Sequence, residues 1–183
     1  MSIKTEATIE DLYHLPDNCK VEIVNGKLVL MSPTGFLPGR AGGEIYASLR
    51  DYERLTKSGY ALPDNVGFIV NLPHRRSLSP DAAFYTGKPT GGKFLNGAPV
   101  FAAEVRSEND YGDKAEKDMV SKRRDYFAAG TLVVWDVDIL KEEVIRVYCV
   151  GNPEELQVYR RGEVAEAESA VPGWTMLVDD LFV

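Results

Sequence analysis

One short segment, residues 100–105, constrains the fold of this chain more than any other. Its letters, VFAAEV, form an almost continuous apolar run, which is typical of a strand that is buried on both faces of a sheet. Glu104 interrupts the run, and a lone buried carboxylate costs several kcal/mol unless it is paired, protonated or bound to a metal ion. The segment therefore predicts a functional carboxylate in a sheet. The simpler alternative is a strand end where Glu104 meets solvent or pairs with a core arginine.

A β-hairpin is predicted near the N-terminus. Asn25 and Gly26 separate two alternating runs at residues 20–24 and 27–31, and this dipeptide between such runs is the strongest short hairpin signal that a sequence offers.

Two main helices and a mixed sheet are predicted for the rest of the chain. Apolar residues recur at helical spacing over residues 44–57 and 113–129, and a short helix capped by Thr8 is predicted to end at residues 16–18. Loops rich in glycine and proline are predicted at 32–43 and 86–97. Strands are predicted at 66–72, 81–85, 100–106, 132–137, 144–150 and 156–160. The fold class is therefore α/β, or α+β by some schemes.

Length and composition indicate one globular domain over residues 1–183. Hydrophobic residues make up 44% of the chain and charged residues 27%, which is the balance of a soluble protein. No apolar run approaches the roughly 20 residues of a membrane helix, and the acidic N-terminal segment is unlike a signal peptide. Cys19 and Cys149 are too few for a disulfide framework, so we expect free thiols, a cytoplasmic protein and no membrane partner.

Charge and histidine content restrict the chemistry. A formal net charge of −7 argues against a protein that coats nucleic acid electrostatically, so any contact with nucleic acid must be a local patch. His14 and His74 are the two histidines, which excludes histidine-rich metal sites and disfavours Ser-His-Asp catalysis. Carboxylates and lysines must therefore supply any acid, base or metal chemistry.

Asp81 is the second candidate carboxylate. It follows Ser79-Pro80 and directly precedes the apolar residues 82–85, and an aspartate in that position is often only a turn residue. It gains weight from Glu104, because the intervening segment is long enough to join two neighbouring strands by a loop. Two carboxylates at adjacent strand ends form a hard oxygen site of the kind that Mg²⁺ prefers.

Lys122 is the candidate cation of the site. It lies on the stripe of the second helix that should pack against the sheet, and Asp118 precedes it by one turn. The alternative is a lysine that extends toward solvent and pairs with Asp118. In the functional interpretation, Lys122 points toward Asp81 and Glu104, where it would hold water or neutralise a phosphate, with Asp118 steadying it.

Two further motifs carry less information. His74-Arg75-Arg76 is a compact basic cluster that could meet a phosphate backbone, although such clusters also occur without function. Residues 87–93 match the first seven positions of a P-loop, but Phe94 replaces the required Ser or Thr and no helix follows, so this segment is interpreted as a loop.

Taken in order, these residues resemble the Uma family of putative restriction endonucleases, within the PD-(D/E)xK nuclease superfamily. The resemblance covers residues 8–182 and also includes the hairpin, the Ser-Pro pair that follows it, and residues 126–138. It implies a restriction-endonuclease-like fold: a mixed sheet flanked by helices, with an N-terminal β-hairpin.

The resemblance also implies a metal site. By position, Asp81 and Glu104 would bind Mg²⁺ or Mn²⁺ with help from the Val105 carbonyl. Glu22 would be the acidic residue contributed by the N-terminal hairpin, near the metal through water.

The catalytic lysine of the superfamily is displaced in this sequence. Its usual position, two residues after Glu104, holds Arg106, which keeps the charge but stays protonated and cannot act as a base. The resemblance assigns the lysine role to Lys122 on the helix. The implied activity is metal-dependent hydrolysis of phosphodiester bonds in DNA, with Arg106 as a further stabiliser of negative charge and a homodimer as the assembly. The alternatives are a catalytically silent nuclease-fold module that binds nucleic acid or protein, and a structural protein in which Glu104 forms an ordinary salt bridge.

Overall fold

The computed structural model describes residues 6–15 and 19–182 of the chain. Within them lie three α-helices, α1 to α3, at Ile9–Tyr13, Phe36–Thr56 and Asp113–Ala129. The main sheet consists of β3 (Tyr60–Leu62), β6 (Ala82–Tyr85), β8 (Phe101–Val105), β9 (Val133–Asp138), β10 (Val144–Cys149) and β11 (Asn152–Arg160). The smaller sheets consist of β1 (Lys20–Val24), β2 (Lys27–Met31), β4 (Phe68–Ile69), β5 (Ser77–Leu78), β7 (Leu95–Asn96), β12 (Val164–Glu166) and β13 (Thr175–Leu177), and a 3₁₀ helix follows at Val178–Leu181.

The main sheet is mixed, as the sequence predicts. Its strand order is β11-β10-β9-β8-β6-β3, in which β8 and β9 are parallel and all other neighbours are antiparallel. Helix α3 is the crossover between the two parallel strands, because a parallel pair needs a connection that returns along the sheet. This crossover carries Lys122 back over the face that bears Glu104.

The two long helices cover opposite faces of the sheet. Ile45 and Leu49 of α2 belong to the same apolar cluster as Phe101, Ala103 and Val105 of β8. Ala102, whose side chain points to the other face of β8, packs instead with Tyr126 of α3 and Val134 of β9. Because side chains alternate along a strand, Glu104 lies on the α3 face with Ala102.

The predicted hairpin is confirmed. Strands β1 and β2 pair antiparallel in a register that places Val24 opposite Lys27. Asn25 and Gly26 both have positive φ angles, 50° and 67°, as a two-residue type I′ turn requires. The hairpin forms a sheet of its own beside the main sheet.

The predicted loop at 32–43 is wrong over most of its length, because α2 begins at Phe36. Pro38 lies in the first turn, where the missing N–H has no helical partner to lose. Ala41 is fully buried one turn before Ile45, so the apolar stripe extends back through the glycines. Packing of this stripe outweighs the cost of about 1 kcal/mol for each glycine in a helix interior.

Other boundaries differ in length. Helix α3 spans the predicted 113–129 and ends at Gly130, whose φ angle is 111°. The strand predicted at 66–72 is reduced to the two residues of β4, and β3 is absent from the prediction. Thr8 caps α1 as expected, with Asp11 completing the capping box, whereas the predicted end of this helix at 16–18 lies outside the described residues. Over the described part of the chain, α-helices that are long and apolar enough to span a membrane are absent.

Candidate active site

Glu104 contacts two residues of α3. Its carboxylate accepts a hydrogen bond of 2.5 Å from Tyr126 Oη and lies 2.9 Å from Lys122 Nζ. Burial raises the pKa of Glu104, the Lys122 ammonium opposes this, and the Asp81 carboxylate adds to the increase. Its partners are thus a lysine and a tyrosine, not the core arginine of the simpler alternative.

Asp81 is held at the ends of β6 and β8. Its backbone N–H donates to Ala103 O at 3.0 Å, and its Oδ2 accepts a hydrogen bond of 2.8 Å from the Val105 backbone N–H. Its Oδ1 lies 2.6 Å from Lys20 Nζ. Asp81, Glu104 and Val105 line one cavity of about 1100 Å³, so the two candidate carboxylates face a common space.

Lys122 joins two carboxylates. In addition to Glu104, its Nζ lies 3.2 Å from Glu22 Oε1. Burial disfavours the ammonium, but Glu104 and Glu22 outweigh this effect and raise the pKa of Lys122, so it is a cation at neutral pH. The expectation that Asp118 steadies or pairs with Lys122 is wrong, because Asp118 instead accepts a hydrogen bond of 2.7 Å from Lys114 on the outer surface of α3.

Glu22 is buried and held from three sides. Its Oε1 accepts a hydrogen bond of 2.9 Å from the Ser79 backbone N–H, and its Oε2 pairs with Arg75. Arg75 also donates to Asp125 of α3 at 2.6 Å. Glu22 is therefore positioned by a buried ion-pair chain that connects the hairpin to α3.

The basic cluster at residues 74–76 is therefore not a free surface patch. Arg75 is buried in the ion-pair chain, and His74 Nε2 lies 2.6 Å from Asp125 Oδ1. Arg76 is exposed. His74 and Arg75 are both bound to Asp125, and Arg75 also pairs with Glu22. The cluster therefore mainly fixes the position of Glu22.

Arg106 is engaged on both edges of its guanidinium. It donates two hydrogen bonds of 2.7 Å to Asp136 on β9 and also binds the Glu116 carboxylate on α3. These bonds raise the pKa of Arg106 despite its burial. Arg106 lines the same cavity as Glu104, but four of its five N–H donors are used by its carboxylate partners Asp136 and Glu116.

The sequence prediction gives no role at the site to Lys20 or to the phenol of Tyr126, and it names Arg75 only as part of a basic cluster that could meet phosphate. Lys20 precedes Glu22 by two residues, so it lies on the same face of β1, and Tyr126 follows Lys122 by one helical turn. Both spacings are visible in the sequence and could have located these residues. Arg75 offers no such signal, because its burial depends on contacts with two distant carboxylates.

In the described part of the chain, there is no cluster of three or more His, Cys, Asp or Glu side chains with a metal-binding arrangement. The site combines carboxylates with two ammonium groups, a guanidinium and a phenol. Such a set can bind a cation through oxygen atoms and stabilise an anion through Lys122.

Comparisons with known proteins agree with this architecture. A crystal structure of a putative nuclease belonging to DUF820 from Anabaena variabilis ATCC 29413 superposes with a TM-score of 0.75 and 17% sequence identity, covering 96% of this chain and 97% of that chain. This likeness shows a common fold. A search of curated proteins finds no match.

The amino-acid sequence also matches a family model. The model of the Uma2 family, described as putative restriction endonuclease, matches residues 9–179, a range that contains Glu22, Asp81, Glu104 and Lys122. The chain therefore belongs to the Uma2 family of putative restriction endonucleases.

Proposed function

We propose that this protein is a metal-dependent endonuclease that hydrolyses phosphodiester bonds in DNA. The observation that carries the proposal is the meeting of Asp81, Glu104 and Lys122 at one cavity, from three elements far apart in sequence. Membership of the Uma2 family, described as putative restriction endonuclease, supports the hydrolytic class.

The residues present fit a hard divalent cation. Asp81 and Glu104 would hold Mg²⁺ or Mn²⁺ together with the Val105 carbonyl, and Mg²⁺ needs only one or two carboxylates when water and phosphate complete its shell. Each of the two carboxylates accepts two hydrogen bonds, whereas an ionised carboxylate offers about four lone-pair sites. Acceptor capacity for a cation therefore remains.

Three residues of the chain have proposed roles beside the metal ion. When bound, the ion supplies a polarised phosphodiester and a water of lowered pKa. Lys122 is cationic and already lies among the carboxylates, so it stabilises negative charge on the phosphate rather than acting as a base. Tyr126 fixes the orientation of Glu104, and Glu22 holds Lys122 from the opposite side.

DNA as the substrate and a homodimer as the assembly are parts of the proposal. Arg123 of α3 lines the cavity, so we propose it as a contact for a DNA phosphate, although the chain as a whole is acidic. A homodimer in the cytoplasm would present two such sites to the two strands of a DNA duplex.

A catalytically silent nuclease-fold module is the second candidate. The observation that favours it is charge pairing: Lys20 contacts Asp81, Lys122 contacts Glu104, and Arg75 contacts Glu22. A site whose anions already have cationic partners does not need a metal ion for stability. Such a module would bind nucleic acid or protein without cleaving it.

Nicking of supercoiled DNA with Mg²⁺ or Mn²⁺ tests the proposal. We expect the wild-type protein to convert supercoiled plasmid to open circles and chelation to stop the reaction. Asp81→Asn and Glu104→Gln keep side-chain size and should each reduce the rate at least about 100-fold, because loss of a ligand should cost no less than loss of an outer-shell partner.

The control variant is Lys27→Met, an exposed residue of the hairpin, which should cleave like the wild type. Circular dichroism would verify that each variant is folded. Cleavage that requires metal but survives both carboxylate substitutions would place the site elsewhere. Absence of metal binding and cleavage, with DNA binding retained, would favour the silent module.

A further inference from the structure

Lys20 holds a central position in the site. Its Nζ lies 2.6 Å from Asp81 Oδ1 and 2.6 Å from Asp64 Oδ1, so one ammonium bridges two carboxylates. The Lys20 side chain is only 15% exposed, whereas that of Asp64 is 49% exposed. Lys20 thus lies between Asp81, the inner carboxylate at the site, and Asp64, the outer carboxylate at the edge exposed to solvent.

The two ammonium groups of the site differ in their freedom to move. Lys122 contacts Glu104 and Glu22, which both belong to the inner cluster. Lys20 is carried by the separate hairpin sheet and has Asp64 as a second partner outside the cluster. If Lys20 left Asp81, its charge would remain paired, whereas Lys122 has no comparable outer carboxylate among its ion pairs with described residues.

A divalent ion on Asp81 would compete with this arrangement. The Lys20 ammonium, 2.6 Å from Asp81 Oδ1, takes one of the acceptor directions of that oxygen, and repulsion between a divalent ion and an adjacent ammonium is strong in a partly buried site. Metal binding at Asp81 therefore favours withdrawal of the ammonium from that oxygen.

We propose that Lys20 is a displaceable cation, which neutralises Asp81 before a divalent metal ion binds and then releases Asp81 while it keeps its contact with Asp64. The inference rests on the proposed function, because it requires Asp81 to bind the metal ion. It adds a role for a residue of the N-terminal hairpin: Lys20 pairs with a carboxylate of the site and competes with the metal, so it sets the concentration at which the metal binds.

Calorimetric titration with Mn²⁺ alone, without DNA, gives the first test. We expect Lys20→Met to bind Mn²⁺ about 10-fold or more tightly than the wild type, because the competing charge is gone while the aliphatic stem stays. Lys27→Met, on the same hairpin, removes the same charge from an exposed position and should change the affinity by less than about 3-fold, since exposed charges are screened. Lys20→Arg keeps the competing charge and should bind no more tightly than the wild type.

A crystal structure of the wild-type protein soaked in Mn²⁺ gives the second test, which does not depend on how well the variants fold. We expect anomalous density beside Asp81 and Glu104, with Lys20 Nζ on Asp64 and no longer in contact with Asp81. An ion on Asp81 with Lys20 still bound to the same oxygen would overturn the inference. So would a Lys20→Met affinity no tighter than that of Lys27→Met.

The two proposals fail in different ways. If the wild-type protein binds Mn²⁺ and cleaves DNA while Lys20 stays in place, only the displacement is refuted. If neither the wild type nor Lys20→Met binds Mn²⁺ and no cleavage is seen, the metal-dependent function is refuted and the displacement with it.

Discussion

Lys122 Nζ lies 2.9 Å from the carboxylate of Glu104, although the two residues belong to a helix and to the strand that it covers. The side chains are 19% and 22% exposed, so water reaches them only partly. The contact explains how a carboxylate is tolerated in an otherwise apolar strand.

Lys122→Met should lower the free energy of unfolding by about 3 kcal/mol, because it leaves Glu104 and Glu22 without their shared cation in a partly buried site. It should also abolish DNA cleavage if the proposed function holds. Urea denaturation and plasmid nicking measure the two effects. Lys114→Met is the matched control, since it breaks the exposed pair with Asp118 on the same helix and should change stability little. Equal stability of the two variants would contradict the prediction.

Arg106→Lys should destabilise the protein by about 1–3 kcal/mol, because a lysine cannot reproduce the two parallel hydrogen bonds to Asp136 together with the contact to Glu116. We expect the affinity for Mn²⁺ to stay near that of the wild type. Denaturation and calorimetry distinguish this positioning role from a catalytic one. A variant of unchanged stability that has lost cleavage would show that Arg106 acts directly on the substrate.

As the pH is lowered, the affinity for Mn²⁺ should begin to decrease at a higher pH than it would if Glu104 had the pKa of an ordinary glutamate. Only the ionised carboxylate binds metal, and burial raises the pKa of Glu104, so protons compete for this ligand sooner as the pH falls. Because the Lys122 ammonium lowers that pKa, Lys122→Met should move the loss of affinity to still higher pH. Calorimetric titrations from neutral pH down to about pH 5 would show the two curves. Coincident curves would contradict the assignment of Glu104 as a ligand.

Gly59→Ala should destabilise the fold by about 1–3 kcal/mol. A Cβ at this position would lie 2.7 Å from the Tyr85 carbonyl oxygen and 2.6 Å from the Phe84 ring, so the backbone of β6 would have to shift. Gly43→Ala in α2 has the opposite expected sign, a gain of about 0.5–1 kcal/mol, because its Cβ meets nothing within 4 Å and alanine favours the helix. Thermal unfolding of the two variants tests the contrast, and a shift in the same direction would refute it.

Much of the fold could be predicted from local signals. Asn25-Gly26 fixes the hairpin because the type I′ turn needs two residues with positive φ angles, and the bounds of α3 follow from its apolar stripe and Gly130. The start of α2 could not be predicted, because its glycines and Pro38 are typical of a loop. The burial of Ala41 against the sheet, which stabilises this part of the helix, is visible only in the structure.

Two residues of the candidate site are predictable because they violate their local pattern, whereas Asp81 is predicted from its position before an apolar strand and Glu22 from the family resemblance. Glu104 interrupts an apolar run, and Lys122 interrupts an apolar stripe, so both are conspicuous in the sequence. Lys20 breaks no pattern, and only its spacing from Glu22 indicates that it shares a face of β1. The position of Arg75 depends on pairing with carboxylates that are distant in the chain, and single-sequence periodicity carries no information about such contacts.

The separate sheet formed by β1 and β2 has a consequence for how the protein unfolds. The hairpin is attached to the rest of the molecule by the buried side chain of Ile23, by backbone hydrogen bonds to residues 74–76, and by the ion pairs of Lys20 and Glu22. Because its strands are not hydrogen-bonded into the main sheet, we expect the hairpin to open as a local unit at a lower free energy than the central strands. Its amide protons should exchange with deuterium before those of β8 and β9. Mild heating would then remove Lys20 and Glu22 from the candidate site while the main sheet stays folded.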